Sequence, residues 1–189
     1  MYFVKLKEQF FLTLDANIAK EEFANFGSVI GNEFKGIQYN RIPQYCTDTM
    51  LEVVPENYRK HFTSGIMKIN VPYARPHTDS GVTAVLNFYV QTADAVTVFY
   101  NQLTEDSVLT KIKNQTNGSV FKLKDLVPAA NFKALPGDVW LLDVTKPHSV
   151  IAASAVDRVA FCLHTNSLSF EEVKKIFECP GGGMVDTLY

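Results

Sequence analysis

The sequence predicts a mainly β fold with flanking helices, of the α+β kind, whose strands close into a sandwich or a barrel. Three observations carry this. From about residue 65 onward, short runs rich in Val, Ile, Phe and Tyr follow one another, separated by Gly, Pro, Asp and Asn. Two of those runs alternate an apolar face with a mixed one at the period of two that a half-buried strand requires. Fourteen Phe and eight Tyr among 189 residues supply the side chains that pleated surfaces favour.

Taken in order, residues 10–14 read as a strand. Asp15 can cap a helix running to about residue 26, which Gly27 ends in a left-handed turn. A second helix covers 47–54 and stops at Pro55, followed by a short helical piece over Glu56–His61. Strands follow over 65–71, 82–90, 95–102, 138–144, 149–153 and 158–165. In 82–90, Thr83, Val85, Asn87 and Tyr89 share one face, and Val82, Ala84, Leu86, Phe88 and Val90 the other. In 158–165, Arg158, Ala160, Cys162 and His164 oppose Val159, Phe161 and Leu163. An apolar outer face under helices and a polar inner face would account for both strands. Ser169-Phe170-Glu171-Glu172 is a capping box that opens a helix to about Phe177, and the Gly-rich tail beyond it is expected to be mobile. The length suits one domain over 1–189. Residues 1–64 form a mixed helical and strand support, 65–165 the core, and 166–189 a terminal helix and tail.

Composition excludes several functions. Eighteen basic against twenty acidic side chains leave a net charge of −2, so a bulk nucleic-acid footprint is missing. No apolar run reaches the roughly 18 residues of a membrane span, and the first residues lack a signal-peptide pattern. Three cysteines, odd in number and without a CxxC pair, argue against a disulfide scaffold or a zinc knuckle. A reduced cytoplasmic setting is the expectation. Lys111, Lys113, Lys122 and Lys124 surround a turn at 114–118. This patch reads as a solvated hairpin tip, with substrate steering the weaker alternative.

Chemistry concentrates in few residues, because the chain has only four histidines. His77 and Asp79 lie two residues apart, so in an extended chain they point the same way, and Ser80-Gly81 allows the strand to bend there. His148, which follows the tight turn Leu135-Pro136-Gly137-Asp138 and a strand, is the natural third partner. Two imidazoles and one carboxylate make a facial triad suited to Fe(II), with coordination positions left open. Such a site stays net positive and favours an anionic bidentate co-substrate. Ten residues on, Arg158 stands in a strand of apolar and small residues, where a guanidinium needs an anion and its planar fork matches a carboxylate.

The set His77-x-Asp79, His148 and Arg158, with Leu-Pro-Gly-Asp ahead of the second histidine, resembles the HxD…H…R signature of the Fe(II)- and 2-oxoglutarate-dependent oxygenases. The resemblance covers roughly residues 65–165 and matches in scale the short single-domain members found in bacteria and phages. It implies a double-stranded β-helix, the cupin-like jelly roll, as the catalytic core. His77, Asp79 and His148 would hold iron, and Arg158 the distal carboxylate of 2-oxoglutarate. Tyr73, Asn87 and Tyr89 are candidates for a second contact to that co-substrate, with no motif to choose among them. The implied reaction consumes O2, hydroxylates a small molecule or a peptide side chain, and releases CO2 and succinate.

Two other readings stay open at this point. One is a cupin-like metal enzyme that does not use 2-oxoglutarate, in which His164 would be the extra ligand. The other is a jelly-roll binding module without catalysis. Otherwise His164 reads as a core or rim histidine, His61 as exposed, and Cys162 and Trp140 as core. The oligomeric state is not legible.

Overall fold

A computed structural model describes residues 1–6, 37–104, 108–111, 118–152, 157–178 and 185–186. Its described strands are β1 (Phe3–Leu6), β2 (Ile37–Asn40), β3 (Thr63–Ile69), β4 (Tyr73–Thr78), β5 (Ala84–Gln91), β6 (Val96–Gln102), β7 (Val108–Lys111), β8 (Ser119–Phe121), β9 (Leu126–Lys133), β10 (Val139–Leu142), β11 (His148–Ile151), β12 (Arg158–Thr165) and β13 (Val185–Asp186). The helices are α1 (Gln44–Leu51) and α2 (Phe170–Glu178), with 3-10 turns at Glu56–His61 and Leu123–Asp125.

All the pairings are antiparallel and form two sheets. The larger runs β13-β1-β10-β5-β12-β3-β2 and the smaller β7-β8-β4-β11-β6-β9. Apart from the consecutive pairs β2-β3 and β7-β8, neighbours in both orders are not consecutive in the chain, as in a jelly roll, where the chain crosses repeatedly between two facing sheets. This is the predicted architecture.

The alternation read in the sequence decides what each face does. Leu86 and Phe88 of β5 and Val159, Phe161 and Leu163 of β12 point outward and pack with Phe170, Val173, Ile176 and Phe177 of α2 and with Cys46, Met50 and Val54. Each such fully buried side chain contributes about 1.5–3 kcal/mol of transfer free energy. The opposite face, with Val85, Tyr89, Ala160 and Cys162, meets Phe99, Phe132 and Val150 of the other sheet. Val82 departs from the expectation. It precedes the first residue of β5 and packs with the inner group, because alternation holds only inside the strand.

Both helices obey simple rules. α1 begins three residues before the expected 47, directly after Pro43, and gives way to turns by Val54. The residue before Pro55 is pushed out of the helical region, so the helix cannot run up to the proline. Cys46, Met50 and Val54 recur every four residues and face the outer core. At α2, Glu172 N–H donates to Ser169 Oγ at 3.3 Å, while Ser169 N–H and hydroxyl donate to Glu172 Oε2, each at 2.7 Å, which is the predicted capping box.

Four features differ from the sequence reading. The run 65–71 becomes β3, ending at Ile69, and a separate β4 carries the Pro76-His77-Thr78 segment. β9 was not anticipated, because Pro128 sits inside it. It is an edge strand, where a missing N–H costs no ladder bond. Short strands β1 and β2, within the expected support segment, pair into the larger sheet. In the tail, Val185–Asp186 pairs with Lys5 and Leu6 of β1 instead of being free of the sheet. The predicted strand at 10–14 and helix at 15–26 lie outside the described residues, as do Lys113 and Cys179.

Candidate metal centre

β4 and β11 are neighbours in the smaller sheet, and their register sets His77 directly across from His148. A shift follows at once, because Val150 pairs with Ala74. β4 thus carries one extra residue between Ala74 and His77, a bulge that turns both Ala74 and His77 inward despite their odd spacing. Asp79 follows the end of β4. Its N–H donates to the Val144 carbonyl at 3.1 Å, which ties it to the connection leading into His148. Gly81, at φ 68°, allows the chain to turn away two residues later.

The three side chains converge. Asp79 Oδ1 lies 3.6 Å from His77 Nε2 and 3.6 Å from His148 Nε2. One ligand atom from each of the three lies within 4.8 Å of the others. Bonds of about 2.0–2.2 Å to a first-row divalent ion would let one ion bridge ligands so spaced. Each imidazole is fastened at its other nitrogen. His77 Nδ1–H donates to the Arg75 carbonyl at 2.7 Å, and His148 Nδ1–H to the Lys146 carbonyl at 3.0 Å. A carbonyl only accepts, so both rings hold their proton on Nδ1 and offer the Nε2 lone pair to the interior. Phe99 stacks on His148 with centroids 5.4 Å apart.

Electrostatics keeps His77 ready to ligate. Burial and the neighbouring His148 lower the His77 pKa to about 4, against the opposing pull of Asp79 and the Arg75 carbonyl. His77 is therefore neutral at pH 7, the form that binds metal.

Arg158 occupies the inner face of the larger sheet and is 2% exposed. Its Nη2 donates to Tyr89 Oη and to Thr97 Oγ1, each at 2.8 Å, and the guanidinium lies 4.7 Å from the Tyr89 ring centre. Among the described residues, Nε and Nη1 have no hydrogen-bond partner and no carboxylate pairs with this cation. A buried guanidinium with two idle donors fits an absent anion, and a carboxylate matches the fork. Thr97 pairs with Val150, and His148 stands two residues further along, about 7 Å by strand rise. A short dicarboxylate reaching from Arg158 to the triad has to cross a gap of that order.

The sequence-derived residues divide clearly. His77, Asp79 and His148 are brought together, with Arg158 facing them from the opposite sheet. Tyr89 touches Arg158. Asn87 Nδ2 lies 3.2 Å from Tyr89 Oη, and Asn87 Oδ1 is buried without a partner among the described residues. Tyr73 is not brought to this group. It is 40% exposed and neighbours Tyr100 on the outer side of the smaller sheet, because the bulge breaks its alternation with His77. His164 is half-buried and stands outside the triad cluster. Cys162 is buried, and burial with the Asp79 charge raises its pKa, so it stays an inert thiol. Trp140 is core, stacked on Phe132 at 4.0 Å. His61 is not free in solvent, since its Nδ1 lies 3.0 Å from Ser167 Oγ.

Two residues were missed. Thr97 is a buried polar side chain on the inner face of β6, a signal the alternation Thr97, Phe99 offered. Tyr39, on the edge strand β2, had none. Burial and Asp79 raise its pKa well above the ordinary value while Arg158 pulls it down, so its phenol lies within the field of both charges and stays protonated.

No protein-family profile matches this chain, and no curated protein matches it. Among solved structures, the non-haem α-ketoglutarate-dependent epimerase SnoN from nogalamycin biosynthesis is similar over 99% of this chain and 88% of its own, with a TM-score of 0.51 at 13% identity. HygX from Streptomyces hygroscopicus, with nickel and 2-oxoglutarate bound, is similar over 88% and 83%, with a TM-score of 0.50 at 8% identity. Hazelnut vicilin gives 0.43 at 11% identity, and this chain spans 32% of its length. The first two likenesses establish the jelly-roll, cupin-like fold.

Proposed function

We propose that the protein is a non-haem Fe(II)- and 2-oxoglutarate-dependent dioxygenase that hydroxylates a small molecule or a peptide side chain. The observation that carries the reading is Arg158: a buried cation with two idle donors, facing a convergent His77–Asp79–His148 triad. A metal site alone would fit many cupin-like enzymes. The unpaired guanidinium adds a reason for an oxo acid.

The donor set fits iron. Two neutral imidazoles and one carboxylate on one side of an ion are the facial arrangement of non-haem Fe(II) sites, with the remaining positions open. When bound, iron with 2-oxoglutarate and O2 supplies an oxidant able to break a C–H bond, so that substrate, 2-oxoglutarate and O2 become alcohol, succinate and CO2. The chain's own part is to hold and shield. His77, Asp79 and His148 would hold the metal, and the carbonyls of Arg75 and Lys146 keep both imidazoles aimed. Arg158 would bind the distal carboxylate, with Tyr89 and Thr97 fixing its orientation and Asn87 presenting its amide alongside. Phe99, Phe132 and Val150 line the interior with apolar surface that excludes water.

The cupin-like alternative expects a further histidine ligand. His164 is not within the ligand cluster, which favours the first reading. A cytoplasmic location, a small-molecule or peptide partner and the lack of a bulk nucleic-acid partner belong to the proposal too. No helix among the described residues is long and apolar enough to cross a membrane. The test is anaerobic titration with Fe(II) and 2-oxoglutarate, followed by the visible charge-transfer band of the chelate, then succinate formation in air. Absence of both overturns the reading, and oxo-acid use that survives Arg158→Ala moves it to the alternative.

A further inference from the structure

The register of the smaller sheet places Val120, His77, His148, Phe99 and Ala130 in one row across β8, β4, β11, β6 and β9. His148 therefore has a ring on each side. The His77 imidazole lies 4.5 Å away between centroids and is tilted by 48°, whereas the Phe99 ring lies 5.4 Å away at 30°. Phe99 is fully buried, and Tyr2 and Phe3 lie against it, each with its centroid 5.6 Å from the Phe99 ring. Phe3 is itself wedged against Phe132 and Trp140, at 4.8 and 5.5 Å. A close-packed interior of this kind leaves Phe99 little room to retreat from the imidazole.

The main-chain bond of His148 leaves one freedom. Its Nδ1–H donates to the Lys146 carbonyl at 3.0 Å, which settles which nitrogen faces the triad. A single hydrogen bond tolerates a range of angles, and the second side-chain torsion of histidine is broad. On that bond alone the ring could tilt and swing Nε2 away from Asp79 Oδ1, which lies 3.6 Å from it. A flat aromatic face at 30° limits the tilt. An aliphatic side chain of similar volume would fill the same space without imposing a plane.

We propose that Phe99 is a positioning residue of the metal centre: its stacked ring sets the tilt of the His148 imidazole, and Tyr2 and Phe3 hold Phe99 in that place. The start of β1 in the larger sheet thereby supports a metal site built on the smaller one. Phe99 acts through His148 and supplies no ligand atom. The inference rests on the metal-holding part of the oxygenase reading and is indifferent to the co-substrate.

The test titrates the whole chain with Co(II), whose visible d–d bands report the geometry of its ligands. Phe99→Leu is expected to raise the Co(II) Kd about tenfold, the size of effect that the surroundings of a metal ligand carry, and to alter the bands. The metal-free variant keeps the native far-ultraviolet circular dichroism. Phe99→Tyr, which keeps the ring, brings Kd and bands back to near wild type. Phe3→Leu moves both in the direction of Phe99→Leu by a smaller factor, about threefold, the worth of one aromatic pair. If Phe99→Leu fails to fold, Tyr2→Leu and Phe3→Leu carry the same two readouts. Wild-type Kd and bands in the folded variants, or a Phe99→Tyr protein as impaired as Phe99→Leu, overturn this proposal while the oxygenase reading stands. A wild-type chain that binds no Co(II) overturns both.

Discussion

Replacing Arg158 by Met tests the reasoning about the buried cation most directly. Met nearly conserves length and removes the charge. In the ligand-free protein, the substitution loses two bonds from Nη2 to Tyr89 and Thr97, about 1.5–3 kcal/mol each for a charged donor, and a cation–π contact of about 1 kcal/mol. It also relieves two unpartnered donors, about 1–3 kcal/mol each, and a buried charge whose desolvation costs several kcal/mol more. The opposing terms nearly cancel, so the ligand-free variant is expected to melt within a few degrees of the wild type. The response to 2-oxoglutarate separates them. At a hundred times Kd the ligand stabilises the metal-loaded wild type by about 2.7 kcal/mol, a Tm rise of about 5–10 °C for a chain of this size. Losing two charge-assisted bonds weakens binding by about 3–6 kcal/mol, roughly 10²- to 10⁴-fold. At the same ligand concentration the shift then falls to about 1 °C or less. Thermal melts with Mn(II) as an inert metal, with and without 2-oxoglutarate, give both numbers. A variant that is strongly destabilised without ligand, or one that keeps the ligand shift, refutes the argument that Arg158 is held in reserve for an anion.

The remaining expectations concern the metal, pH and the scaffold. His77→Ala and Asp79→Ala each reduce bound iron after anaerobic reconstitution to background while the far-ultraviolet circular dichroism stays native, measured by metal analysis of desalted protein. The metal-free protein loses stability on acidification. His77 has a pKa of about 4 when folded and about 6.5 when unfolded, so the unfolded chain binds the proton first. The loss builds as pH falls from 6.5 to 4 and reaches about 3 kcal/mol, read from urea midpoints across that range. A midpoint independent of pH there, or one that rises, would count against the burial of a neutral imidazole. Ser169→Ala removes the cap of α2 and lowers unfolding free energy by about 1 kcal/mol in denaturant titration. Gly137→Ala costs about 1 kcal/mol, because φ is +90° at that turn although no atom lies within 4 Å of the added Cβ.

Much of the site was legible because its residues are chemically rare in their settings. A guanidinium inside a strand of apolar and small residues, and two of only four histidines near a carboxylate, are hard to place anywhere but inside a site. The strand Arg158–Thr165 was read to the residue, since its alternation is unbroken on both faces. Where alternation breaks, the reading failed. Tyr73 sits an even number of residues from His77, yet one bulged residue in β4 sends it to the outer side. Pro128 concealed β9, since only its position at a sheet edge makes a proline tolerable there. Tyr39 had no local pattern to announce it. It reaches the site through the pairing of β2 with β3, a contact between segments whose neighbourhood no short window contains. The register of distant strands is a property of the assembled sheets.

The two metal-facing imidazoles are each fastened to a main-chain carbonyl two residues back, at Arg75 and Lys146. Every amino acid carries that carbonyl. Residues 75 and 146 are therefore free to vary as side chains without loosening the ligands, and the aim of the histidines belongs to the backbone trace of β4 and of the turn before β11. The same arrangement fixes how strongly the rings give electrons. A neutral carbonyl draws on the Nδ1 proton less than a carboxylate would, so these imidazoles are weaker bases than ones backed by Asp or Glu. Adjusting that basicity would take a carboxylate brought in from another strand, a change in architecture that no single substitution at 75 or 146 supplies.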